Sequence, residues 1–291
     1  MLGSPRLANT AFPLFSPADK QTDGIHLDVS RQSPSDLEVG GDLAGLPPGS
    51  TRYIPREELL TLPQVNLIVT DDANFTGPTK IGGVELSELI RRLGASSADN
   101  LIVAICDDKY SADYPRGYLL AHDPVLVLNI NGKPPAGWPK DSHEHKYDMG
   151  PYMISHAKFV TSSTRISRED EAQIPWGVVR LEFRDEKSVF SAITPGGALA
   201  RDADVQKGFQ IAEEKCFHCH NAGSEGGQKS GVSWPALSVM ALASPGDFMN
   251  YVRDPASKNP KGQMPGNRNY DDATLRALTA YFRSFSSKAK P

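Results

Sequence analysis

The rhythm of apolar and polar positions divides the chain into three unequal stretches. Over residues 1–50 Pro, Gly, Ser and Asp dominate and apolar periodicity is faint. Leu46-Pro47-Pro48-Gly49 closes this stretch as a turn, so it reads as an extended arm pinned to a surface by Phe12, Leu14 and Phe15. From residue 51 the rhythm sharpens. Residues 55–60 predict a short helix, 65–70 a strand, and 84–93 an amphipathic helix closed by Gly94. Residues 101–106 are apolar almost throughout, as in a strand covered on both faces, and 125–130 form another strand ending at the turn Asn131-Gly132. Residues 178–183 alternate apolar and polar, as a half-buried strand does. Mixed strands and short helices joined by loops predict an α+β domain over 51–193. After the Gly- and Pro-containing linker 194–202, helical periodicity takes over. Residues 204–215 place Val205, Phe209 and Ala212 on one face, capped by Asp204. Residues 244–252 predict a further helix. Residues 271–285, capped by Asp271 or Asp272, carry a stripe of Leu275, Leu278, Tyr281 or Phe282, and Phe285.

The chain's 291 residues suffice for two domains, and 39% hydrophobic with 23% charged residues is the composition of a soluble globular protein. No apolar run reaches the length of a membrane span. The net charge of −4 is unevenly shared: residues 201–291 carry 12 basic and 9 acidic side chains, residues 1–200 carry 19 and 26. Such asymmetry can orient the two parts towards each other or towards a partner. No basic cluster or basic–aromatic stripe points to nucleic acid.

The chemistry concentrates in Cys216-Phe217-His218-Cys219-His220. Cys-x-x-Cys-His is the attachment signature of a c-type haem. Thiols three positions apart share one face of a helical turn, where each can add to a porphyrin vinyl group, and His220 then offers its imidazole to the iron. His218, a variable position of the motif, is expected to face solvent. Covalent attachment implies export to a periplasm or an equivalent space. Residues 1–6 lack the apolar core of a signal peptide, so no leader is expected within this sequence, whether removed or never part of it. With two of the three cysteines carrying haem, no disulfide framework is expected, and Cys106 reads as a small buried hydrophobe.

From about Ala203 to Phe285 the chain resembles a class I cytochrome c, an all-α fold. Gly208-Phe209 is similar to the Gly-aromatic pair of that family's first helix, where glycine permits close crossing by the last helix. Gln263-Met264-Pro265-Gly266, with Met264 standing 44 residues beyond His220, resembles the axial Met-Pro element. The resemblance implies Met264 as the sixth iron ligand, with Met240 and Met249 as competitors read as core residues and His-only or open coordination as the alternative. Ser233-Trp234-Pro235-Ala236-Leu237 resembles the Gly-Pro-x-Leu segment, which implies that the Pro235 carbonyl accepts a hydrogen bond from His220 and fixes the ring. The implied cofactor is one covalent haem c.

The middle of the chain resembles the sulfite-oxidase-type, molybdopterin-binding fold through Gly83-Val84-Glu85-Leu86-Ser87-Glu88-Leu89-Ile90, Asp107-Asp108-Lys109-Tyr110, residues 126–134 and residues 176–183. That family carries a molybdenum-ligating cysteine after the strand preceding the Gly-Val helix; here the segment reads Val69-Thr70-Asp71-Asp72-Ala73-Asn74. A carboxylate does not replace a soft thiolate at such a centre. The resemblance therefore implies a molybdenum-free relative, without molybdopterin. The expected function is one-electron transfer to a redox partner protein, the first domain serving as a docking or scaffold module and not as an enzyme. The alternatives are a sulfite-dehydrogenase-like molybdoenzyme feeding its own haem, and a copper-binding or redox-sensing module built on His143, His145, Met149, Met153 and His156.

Overall fold

The computed structural model describes residues 24–94, 101–140, 148–158 and 172–286. In chain order the elements are β1 (Leu37–Gly41), β2 (Arg52–Ile54), α1 (Arg56–Thr61), β3 (Val65–Val69), β4 (Thr79–Glu85) and α2 (Leu86–Leu93). Then come β5 (Leu101–Cys106), β6 (Ser111–Pro115), α3 (Arg116–His122), β7 (Val125–Ile130), β8 (Tyr152–Ser155), β9 (Trp176–Arg184) and α4 (Glu186–Phe190). The remainder is helical: α5 (Ala203–Lys215), α6 (Trp234–Ala243), α7 (Pro245–Arg253) and α8 (Asp272–Ser286). A mixed sheet with short helices is followed by an all-α part, as the periodicities predict.

The sheet runs β2-β1-β9-β8-β7-β4-β3, with β5 and β6 branching from β9. β9 is its hub: β1 lies parallel to its later half, while β5 and β8 pair with it antiparallel. β1 falls within the stretch read as an arm. Its Leu37 and Val39 are fully buried, so residues 37–41 are part of the sheet, joined there through β9 and not through local pattern. The helix expected over 84–93 begins two residues later. Val84 and Glu85 belong to β4, paired with β7 across a register shift at Gly82/Gly83.

β5 explains how the two parts join. Its Ile102, Ala104 and Cys106 point into the core of the sheet domain. Leu101 and Val103, with Ile105 at the margin, pack instead into a second core shared with Val189, Phe190, Ile193 and the helices α5 to α8. Both faces are covered, which is why the strand is apolar throughout. Residues 186–193 likewise pack onto the helical part, and the Tyr281 hydroxyl donates to the Ile193 carbonyl at 2.6 Å.

Candidate haem site

Helix α5 aims the motif. Its N-cap is Asp202, one of whose carboxylate oxygens accepts from the backbone N–H groups of Asp204 and Val205 at 3.0 Å each, so the cap lies two residues before the expected Asp204. Gly208 is required by packing. A Cβ there would lie 2.1 Å from the Ala277 carbonyl oxygen and 2.6 Å from the Tyr281 Cβ, so α5 and α8 cross backbone to backbone. At the other end of α8, Asp271 accepts from Thr274 N–H at 2.7 Å and is the cap.

Beyond Lys215 the chain continues in tight turns. Cys216 N–H donates to Ala212 O at 2.8 Å, Cys219 N–H to Cys216 O at 3.2 Å, and His220 N–H to Cys216 O at 2.9 Å. Neither thiol is in a disulfide, and both are half-buried. Desolvation holds them un-ionised, Cys216 pushed up to about 12 and Cys219 to about 11. Phe217 between them is fully buried and meets Trp234 edge-on at 5.6 Å.

His220 is 8% exposed, and burial lowers its pKa, which keeps the ring neutral as a ligand must be. Its Nδ1 bonds the Val232 carbonyl at 2.6 Å, a contact that makes Nδ1 the protonated nitrogen and leaves the Nε2 lone pair for a metal. The acceptor is Val232 and not Pro235. Pro235 sits in the first turn of α6, where carbonyls point along the axis towards later N–H groups, whereas Val232 precedes the helix.

Met264 lies in the irregular segment between α7 and α8, partly buried against the same core as Cys216. The segment is tethered through Asn267, whose backbone N–H donates to Arg253 O and whose side chain donates to Val252 O, both at 3.0 Å. Met249 packs against this core from α7, but Met240, expected to be buried, is 40% exposed. Close by, the Tyr270 hydroxyl is buried without a partner among the described residues, and its pKa is raised by burial and by the neighbouring Cys216. Paired thiols, a neutral imidazole with one nitrogen held and the other free, a thioether and an orphaned hydroxyl fit a covalently bound haem.

His218 is the largest departure from the sequence reading. It is 2% exposed, its Nδ1 bonds the Ser111 carbonyl at 2.7 Å, and its own carbonyl accepts from Ser111 N–H at 3.0 Å. Its ring stacks on Tyr110 at 5.5 Å between centroids. Desolvation lowers its pKa to about 4, so it is neutral. The variable position of the motif is therefore the plug that seats the haem turn on the sheet domain. Around it Gln228 N–H donates to Lys109 O at 2.9 Å, Lys229 pairs with Asp108 at 2.5 Å and Arg184 with Glu225 at 2.8 Å. Gly227 permits this wrap, since a Cβ there would lie 1.8 Å from the His218 carbonyl oxygen.

Residues 203–282 match the family model described as cytochrome c oxidase, cbb3-type, subunit III. The C-terminal helices are a cytochrome c domain. A solved structure, the sulfane dehydrogenase SoxCD from Paracoccus pantotrophus, is similar at 15% identity and a TM-score of 0.39, over 60% of this chain and 45% of that one. The chain thus spans less than half the length of that protein. A search of curated proteins finds no significant match.

The methionines and the described histidine of the second candidate site belong to the sheet domain. Met149 and Met153 are fully buried in a small core with Trp138, while His156 bonds the Tyr118 hydroxyl at 2.7 Å, so methionines and histidine do not converge. His143 and His145 fall outside the described residues. Among the described residues no group of three His, Cys, Asp or Glu could hold a metal ion, and no helix is long and apolar enough to cross a membrane. Cys106 is 4% exposed in the sheet-domain core, with its thiol pushed up by burial. Ala73 and Asn74, from the segment where the resemblance would require a molybdenum-binding cysteine, instead line a cleft together with Cys106.

Proposed function

We propose that the protein is a periplasmic monohaem electron carrier whose sheet domain is a molybdenum-free docking module. The observation that carries this is the state of His220: buried, neutral, with Nδ1 fixed by Val232 and Nε2 left for iron. Bound haem would supply one-electron chemistry. Cys216 and Cys219 would anchor it, His220 would ligate the iron, and Met264 would complete the coordination. With His and Met both bound, no position is open for substrate, and thioether ligation in a buried site favours a relatively high potential.

The reading is tested on protein expressed in a host that makes both haem c and molybdopterin. One iron per chain without molybdenum supports it; stoichiometric molybdenum overturns the docking role in favour of a molybdoenzyme. The weak near-infrared band of Met–ferric haem should be present and should vanish in Met264→Ala. A band that survives places the sixth ligand elsewhere.

A further inference from the structure

A cleft of about 220 Å³ lies on the seam between the sheet domain and the haem loop. Asn74 approaches it after β3, Cys106, Asp108 and Tyr110 from the β5–β6 turn, Trp176 from the start of β9, and Lys229 from the cytochrome c domain. Pockets for drug-sized ligands run to roughly 300–1,000 Å³, so this one suits a single ring with a small substituent.

Its chemistry narrows the class of ligand. Tyr110 and Trp176 supply aromatic surface, and the Tyr110 ring is fixed because its hydroxyl donates to the Ala172 carbonyl at 2.9 Å. The un-ionised Cys106 thiol adds a small apolar surface. At the polar end the Lys229 ammonium bonds Asp108 at 2.5 Å, both side chains about one-third exposed, with Nζ 5.9 Å from the centre of the Tyr110 ring. A ligand anion there would meet the Asp108 carboxylate, which already pairs with the one ammonium. A ligand cation would have to displace Lys229. A neutral hydroxyl suits the pair, since it can accept from Lys229 while donating to Asp108.

We propose that this cleft binds a small hydroxylated aromatic molecule of the phenol class, its ring against Tyr110 and Trp176 and its hydroxyl bridging Lys229 and Asp108. Tyr110 stacks on His218 of the haem motif, and Lys229 belongs to the haem loop, so an occupied cleft touches the haem domain directly. This deepens the docking role proposed above from a passive scaffold to a ligand-binding one.

The test uses the haem-loaded full chain, in which Cys106 is the one thiol not consumed by haem. Methyl methanethiosulfonate should modify the 4% exposed Cys106 slowly, and peptide mass spectrometry reads its rate. Phenol at ten times its Kd should slow modification about tenfold, because only the unoccupied fraction reacts. Lys229→Met, at a part-exposed position, should weaken that protection without changing the haem spectrum. Equal rates with and without millimolar phenol, or equal protection by cyclohexanol, would overturn the proposal. Modification of Cys216 or Cys219 in the same digest reports failed haem attachment, which is a failure of the electron-carrier reading and not of the cleft.

Discussion

Gly208→Ala sets two physical effects against each other with opposite signs. In an isolated helix alanine is favoured over glycine by about 1 kcal/mol. In this protein the added methyl would stand 2.1 Å from the Ala277 carbonyl oxygen, where real contacts lie beyond 3.0 Å, so α8 must retreat by about 1 Å. The obstacle is backbone, and no rotamer relieves it. Overpacking costs about 1–3 kcal/mol. The retreat also strains the Tyr281 hydroxyl, which donates to Ile193 O at 2.6 Å and accepts from Trp234 Nε1 at 3.2 Å. The net expectation is a loss of about 2 kcal/mol, which at a guanidinium m-value of about 2–6 kcal/mol/M lowers the unfolding midpoint by about 0.3–1 M. Unfolding of the haem-loaded protein, followed at the Soret band, checks this. A midpoint unchanged or raised would show that helix propensity wins and that the close crossing is not limiting.

Asp202→Ala should cost about 1 kcal/mol in the same assay by uncapping α5, and Asp204→Ala only a few tenths; the reverse order would restore Asp204 as the cap. Asp113 and Glu213 should each contribute a fall in stability as pH rises from about 4 to 7, opposed in part by His218, whose pKa is lowered to about 4 and whose contribution rises over that range. Burial, then the charges of Glu213 and Glu225, raises Asp113 to about 7, and burial followed by Glu214 and Glu186 raises Glu213 to about 7. The folded state therefore holds protons that the unfolded chain has released, at up to about 1.4 kcal/mol per pH unit for each group. Asp113→Asn should flatten this slope, and an equally steep profile in the variant would sink the assignment. His218→Ala leaves a buried Ser111 carbonyl without its partner, a loss of about 1–3 kcal/mol. It should speed proteolysis between the domains; unchanged cleavage would mean that the ring does not hold the seam.

What the sequence made legible follows from where each signal originates. The haem motif, α5, α7 and α8 were readable because their spacing and periodicity are local. β5 was readable because a strand buried on both faces has to be apolar. β6 was not: Ser111-Ala112-Asp113-Tyr114-Pro115 has no strand rhythm, and its pairing is imposed by β5. Helix α6 was hidden by Pro235, which reads as a breaker but occupies the first turn, where a missing N–H costs nothing. His218 looked free because its partner stands 107 residues earlier in the chain. Val232 as the His220 acceptor depended on how the loop closes, which family resemblance assigned to the wrong carbonyl.

The buried position of His218 bears on how the two domains work together. An interface that forms and releases in solution is ordinarily rimmed and crossed by hydrated charges. This seam contains a neutral buried imidazole, a carboxyl raised towards 7 and the apolar residues Leu101, Val103, Phe190 and Ile193, with ion pairs such as Arg184–Glu225 at its edge. Separating it would expose a continuous core and strand the Ser111 carbonyl, so the domains form one permanent unit. The turn that carries the two half-buried cysteines is thereby seated on the sheet domain through His218. The segment around Met264 keeps Lys258, Lys261 and Arg268 exposed. Lys258 lies 3.9 Å from Asp247 and Arg268 3.1 Å from Asp254, surface pairs of little strength, so all three cations stay hydrated and open to screening by salt.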